Sequence, residues 1–125
     1  MEDQPIGGKP LSVWETEWER LDGGLRVPHP KLRNFVGLFR VIWRDMVVFV
    51  GCATEHRNGG LTKRLADFTR PSGNGRNHHA GALIHEHRDQ VKVEVLVIGD
   101  DYVSGITAKQ LKSAYLRKLT PSWNV

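Results

Sequence analysis

The chain has 125 residues, 39% hydrophobic and 26% charged, a length that accommodates one domain with a single core. A lone cysteine, Cys52, excludes an internal disulfide framework, and no apolar run approaches the roughly 20 residues of a membrane-spanning helix. With an acidic start that lacks the basic-then-apolar pattern of a secretory signal, the expectation is a cytoplasmic protein without a membrane partner. The net charge of +4 is unevenly placed. Residues 1–30 hold three basic and six acidic side chains, the remainder fifteen and eight, and the stretch from Tyr102 onward has four basic residues and no acid. A basic body of this kind is expected to meet a polyanion, because neutralising phosphates releases counterions.

Taken in chain order, residues 1–11 carry Pro5, Gly7, Gly8 and Pro10 and are expected to form a mobile leader. Ser12 as N-cap and Glu15 three residues on predict a helix that places Val13, Trp14, Trp18 and Leu21 on one face and ends at Gly23-Gly24. A helix of about ten residues does not persist alone in water, so its tryptophan face must dock on the chain's own body or on a protein partner. Pro28-His29-Pro30 forms a stiff connector, giving an acidic leader over 1–30 and a domain over 31–125. Val36–Trp43 and Met46–Gly51 are β-rich runs around the polar pair Arg44-Asp45 and predict a hairpin.

A helix follows over about 60–69, with Leu61, Leu65 and Phe68 as its buried stripe and Lys63, Arg64 and Asp67 as its polar side. Thr69 to Asn77 is a basic loop carrying Arg70 and Arg76, and a short helix over 78–88 uses Ala82, Leu83 and Ile84 as apolar contacts. The run 91–98 is the clearest strand, with Val91, Val93, Val95 and Val97 on one face. A final helix over 106–119, capped by Thr107 and stopped by Pro121, places Leu111, Tyr115 and Leu119 four apart. The order helix, strand, strand, helix, helix, strand, helix implies an α/β (α+β) sandwich on a three-stranded sheet with an extra N-terminal helix.

Several clusters bear on chemistry. The segment His78–His87 fits neither common zinc-hydrolase motif, because Asp89 stands where the second histidine of one belongs and Leu83 where the first histidine of the other belongs. It reads as a polar helix face, with His78, His85 and Glu86 as a non-standard metal set. The loop Ser72–Asn77 follows a helix and lacks a third glycine, so it reads as a phosphate-touching basic loop or a plain surface loop, and not as a dinucleotide site. Cys52 reads as a small half-buried residue, and Trp43 and Trp123 serve equally well as core or as platforms for stacking bases.

Three features in order resemble the GIY-YIG nuclease superfamily. Gly37-Leu38-Phe39 stands where that family has Gly-Ile-Tyr, and Phe49-Val50-Gly51 where it has Tyr-Ile-Gly. Next come Leu61-Thr62-Lys63-Arg64-Leu65, similar to its Leu-x-x-Arg-Leu helix, and Pro121-Ser122-Trp123-Asn124, similar to its terminal Pro-x-x-Asn. The resemblance covers roughly 35–125. It implies a three-stranded antiparallel sheet flanked by helices. It also implies phosphodiester hydrolysis by water and one divalent metal, with a tyrosine hydroxyl assisting proton transfer, an arginine on the phosphate and a glutamate on the metal.

At those positions this chain carries Phe39 and Phe49 for the tyrosines, Arg64 for the arginine, Lys112 for the glutamate and Asn124 for the terminal asparagine. Phenylalanine has no hydroxyl, and an ammonium repels the cation that a carboxylate would hold. The resemblance therefore implies a nucleic-acid-binding, DNA-directed domain that has lost nuclease activity and needs no cofactor. Arg64, Lys109, Lys112, Arg70 and Arg76 would form its phosphate-contacting surface, and Asn124 would hold the old site together. Two alternatives stand beside it. One is a divergent endonuclease using Glu86 or Glu94 with magnesium or manganese. The other is a protein-interaction or inhibitor module acting through the acidic N-terminal helix.

Overall fold

The computed structural model describes residues 4–69 and 79–124. In chain order these form α1 (Leu11–Glu15), β1 (Glu19–Arg20), a 3-10 turn (Pro30–Leu32), β2 (Val36–Trp43), β3 (Met46–Ala53), α2 (Gly60–Ala66), α3 (His79–Glu86), β4 (Lys92–Gly99) and α4 (Tyr102–Leu119). Arg44 and Asp45 both adopt positive φ, 53° and 64°, and Trp43 pairs with Met46, so the hairpin closes through a two-residue turn of the type that matches strand twist. Arg44 covers the Trp43 ring at 4.2 Å. The strand expected over 46–51 continues to Ala53.

The sheet is fully antiparallel, in the order β1-β4-β2-β3, and has four strands where three were expected. The extra strand comes from the segment read as helix. α1 stops at Glu15 after little more than one turn, and its N-cap is Pro10, which makes no side-chain cap, instead of Ser12. Glu19 and Arg20 then pair with Val95 and Glu94, and Leu21 N–H donates to the Val93 carbonyl at 2.9 Å. An outer strand edge offers backbone groups that a marginal short helix cannot outcompete. Val13, placed on the docking face by its spacing, is exposed, whereas Trp14 is buried.

Both sheet faces are covered. On one, Phe39, Val41, Val93 and Val95 meet Leu61 and Leu65 of α2, Phe68, and Ile84 of α3. On the other, Val36, Leu38, Val50 and Leu96 meet Ala108, Leu111 and Tyr115 of α4, with Leu11 and Trp14. Val97 keeps the regular pairing that places it on the face of Val93 and Val95, but it is 39% exposed and lies outside the core that those two join. Ala82 is likewise exposed on α3. The last helix starts at Tyr102, earlier than its periodicity indicated. Asp101 caps it by accepting from Ser104 N–H at 2.8 Å, and Thr107, read as the cap, is buried within it. No helix among the described residues is long and apolar enough to cross a membrane.

The N-terminal segment docks on the chain's own body through a polar network. Trp18 Nε1–H donates to the Tyr115 hydroxyl at 3.0 Å, which donates to Glu15 Oε1 at 3.0 Å. Arg40 bridges Glu15 and Glu94, at 3.1 and 2.7 Å, beneath the Trp18 ring. Burial, with Glu15 alongside, pushes the Tyr115 phenol from 10.0 up to about 12. The folded state therefore disfavours the phenolate, and the stability this group contributes is present below its ordinary pKa and is lost as pH climbs from about 10 toward about 12. Tyr115→Phe is expected to lower stability by about 1 kcal/mol at neutral pH through the lost hydrogen bonds. It should also flatten the alkaline decline, measured by urea denaturation at neutral pH and near pH 11.

Candidate functional site

A cleft of about 440 Å³ opens at the outer edge of β3, where helices from the two faces of the sheet approach each other. β2 supplies Phe39, β3 supplies Phe49, Gly51 and Cys52, α2 supplies Arg64, α4 supplies Lys112, and the C-terminal tail supplies Trp123 and Asn124. The five residues singled out by resemblance, Phe39, Phe49, Arg64, Lys112 and Asn124, all line it.

The apolar floor depends on Gly51. A Cβ at this position would lie 2.5 Å from Phe39 Cζ and 2.9 Å from Phe49 Cε2, so only glycine lets both rings lie across the strand. Phe39 is buried, with its ring centroid 5.8 Å from that of Phe49 and 5.7 Å from that of Phe68. These rings present no proton donor or acceptor to the cleft.

The far wall is fixed by the tail. Asn124 Oδ1 accepts from Val50 N–H at 2.8 Å, and Asn124 Nδ2–H donates to the Val50 carbonyl at 3.0 Å. Trp123 N–H also donates to the Val48 carbonyl at 2.8 Å. An asparagine side chain thus completes the hydrogen bonding of an edge strand, and its polar atoms are already engaged. Trp123 is 7% exposed and packs with His87 and Trp43 at centroid distances of 5.6 Å each. Its role in this arrangement is core packing.

The charged wall holds the chemistry. Arg64 Nη2–H donates to Glu55 Oε2 at 2.7 Å, and Glu55 Oε1 accepts from Thr54 N–H at 3.0 Å. Burial acts to raise the Glu55 carboxyl pKa, but the Arg64 hydrogen bond and charge outweigh it and hold the group below the usual carboxylate range. Arg64 Nε is buried and has no hydrogen-bond partner among the described residues. Burial pushes the Cys52 thiol up against the opposing pull of Lys112, Arg64 and Lys109, so the thiol stays protonated near neutral pH and is a poor nucleophile. Lys109 is exposed on α4 and does not line the cleft.

Other expected participants lie elsewhere. Glu94 is on the opposite sheet face, held by Arg40, and Glu86 is exposed on α3, 3.3 Å from His87. Neither lines the cleft, which removes both from the role of site carboxylate. His85 Nδ1–H donates to the Phe68 carbonyl at 2.6 Å and is engaged with backbone. Arg70, Arg76 and His78 lie outside the described residues. Asp67 and His79 line the cleft without having been assigned to it, and Glu55 stands beside it unanticipated. A charged residue directly after a strand, ahead of a glycine pair that returns the chain as a helix, was the available signal for Glu55.

The family resembled implies a divalent metal. Among the described residues no group of three or more His, Cys, Asp or Glu side chains is gathered to hold one, and the cleft's Asp67, His79 and Cys52 share it with the cations Arg64 and Lys112. That donor set does not fit a divalent cation, which takes several oxygen ligands. Comparison with family models, curated proteins and solved structures returns no match to this chain. Asn124→Ala is expected to cost about 1–3 kcal/mol by leaving both Val50 backbone groups unpaired. Urea denaturation checks it, and Asn124→Asp, which keeps only the acceptor, should fall between the two.

Proposed function

We propose that this chain is a nucleic-acid-binding domain with a GIY-YIG-like fold that grips phosphate without hydrolysing it. The observation that carries the reading is the convergence of Phe39, Phe49, Arg64, Lys112 and Asn124 on one cleft from five separate parts of the chain. A planar guanidinium and a flexible ammonium facing one cavity suit a phosphate group, the first as a directional fork and the second as a mobile point charge.

Hydrolysis asks for more than binding. A water nucleophile must lose a proton and the developing charge must be met, tasks given to a base and a metal in phosphoryl-transfer sites. Phe39 and Phe49 cannot move a proton, and Lys112 stands where the resemblance places the metal ligand. Lys109, Arg117 and Lys118 continue the positive surface along α4, and in this reading Arg70 and Arg76 add contacts from the basic loop. DNA is the ligand the resemblance favours. The protein-partner alternative loses its main support, because Trp14 and Trp18 pack within the chain itself.

Filter binding to a short DNA tests the reading. With about three phosphates neutralised, affinity should fall roughly 40-fold between 50 and 200 mM salt. Arg64→Ala and Lys112→Ala should each reduce the log–log salt slope by about one. Salt-independent binding, or no binding at low salt, would overturn the proposal. Nicking of supercoiled DNA with magnesium or manganese that disappears in Arg64→Ala would overturn the loss of catalysis.

A further inference from the structure

Arg64 already has an anion beside it. Its Nη2–H reaches Glu55 Oε2 at 2.7 Å, while Nε, buried, has no partner among the described residues. A guanidinium offers Nε and Nη2 as a parallel pair that two oxygens of one anion can take together. Glu55 supplies only one oxygen, because Oε1 is held by Thr54 N–H at 3.0 Å. The residue is further fixed by a tight turn, in which Asn58 N–H and Gly60 N–H both donate to the Glu55 carbonyl. Glu55 is thus an incomplete partner for the arginine, and any phosphate entering the cleft competes with it.

The charge of that competitor decides which phosphate gains by the exchange. An internal phosphodiester carries one negative charge, the same as the carboxylate it would displace, so the swap leaves the ion pair no stronger. A terminal phosphate monoester carries about −1.5 to −2 and has three acceptor oxygens. Two of these can serve Nε and Nη2 of Arg64, leaving one for the Lys112 ammonium on the other side of the cleft. A cavity of about 440 Å³ is also of the size that encloses a small ligand or a strand end, not a duplex.

We propose that Glu55 is an internal anion that a ligand must displace from Arg64, and that Arg64 and Lys112 then select the terminal phosphate of a nucleic-acid strand over an internal phosphodiester. This rests on the nucleic-acid reading of the site and names the chemical group it takes. Glu55 acts here as a competitor that weakens binding of every anion by the same factor, while the charges of Arg64 and Lys112 set the preference.

Fluorescence anisotropy on the full chain tests the inference, using one single-stranded oligonucleotide made with a 5′-phosphate, a 3′-phosphate or no terminal phosphate. The wild type should bind at least one phosphorylated form roughly tenfold more tightly than the unphosphorylated form. Glu55→Gln keeps the size and the Thr54 bond while removing the charge. It should tighten binding of all three strands by a similar factor and leave the preference for the terminal phosphate in place. Arg64→Ala should abolish the preference, with thermal melting confirming that each variant folds. Equal wild-type affinity for all three strands would overturn the inference while leaving salt-dependent binding intact. Weaker binding by Glu55→Gln would also overturn it, making Glu55 a support for Arg64. Absence of binding to any strand at low salt would overturn the nucleic-acid reading itself.

Discussion

The exposed edge of β3 is the constraint around which the candidate site is organised. An edge strand presents backbone donors and acceptors that need partners, and here the partner is the side-chain amide of Asn124, which mimics a peptide group by accepting from Val50 N–H and donating to its carbonyl. Once that pair forms, Trp123 is drawn against Val48, the tail is held along the sheet, and a wall rises opposite Arg64. α4 reaches the same edge from the other face and brings Lys112 with it. The cleft is therefore a product of how the sheet ends, with side chains from both layers meeting where, among the described residues, no further strand continues.

Within that frame the electrostatics are lopsided and the floor is inert. Arg64, Asp67 and Lys112 line a cleft with an aromatic floor, and Glu55 ties down part of the guanidinium. Positive charge with few oxygen donors suits an anion that arrives with its own acceptors. The protonated Cys52 thiol and the hydroxyl-free rings offer no acid or base of suitable strength. The opposite face of the sheet uses its charges differently: Arg40, Glu15 and Glu94 satisfy one another around Trp18 and Tyr115 and anchor the N-terminal segment. Two charged clusters on one small fold thus divide into a closed structural network and an open cationic cleft.

The hairpin was legible in the sequence because β-branched runs flank a polar pair, and the turn forms there even without glycine. The stripe Leu61, Leu65 and Phe68 and the stop at Pro121 were legible for the same local reasons. What escaped depends on distant partners. Glu19 and Arg20 carry no periodicity of their own and become a strand only because β4 offers an open edge. The start of α4 was obscured by Gly99-Asp100-Asp101, which looks like a terminator although Asp101 caps the helix. The cleft positions were reached through motif resemblance, whereas Glu55 belongs to no helical or strand spacing with Arg64 and becomes visible only when the turn after β3 folds back.

Polyanion binding at the β3 edge is read residue by residue by backbone amide chemical-shift mapping during titration with a short single-stranded DNA. The largest perturbations are expected on Gly51, Cys52, Arg64 and Lys112, while Glu15, Arg40 and Glu94 on the other face stay unmoved. Perturbations centred on the Glu15, Arg40 and Glu94 face, or spread evenly over every surface lysine and arginine, would contradict it.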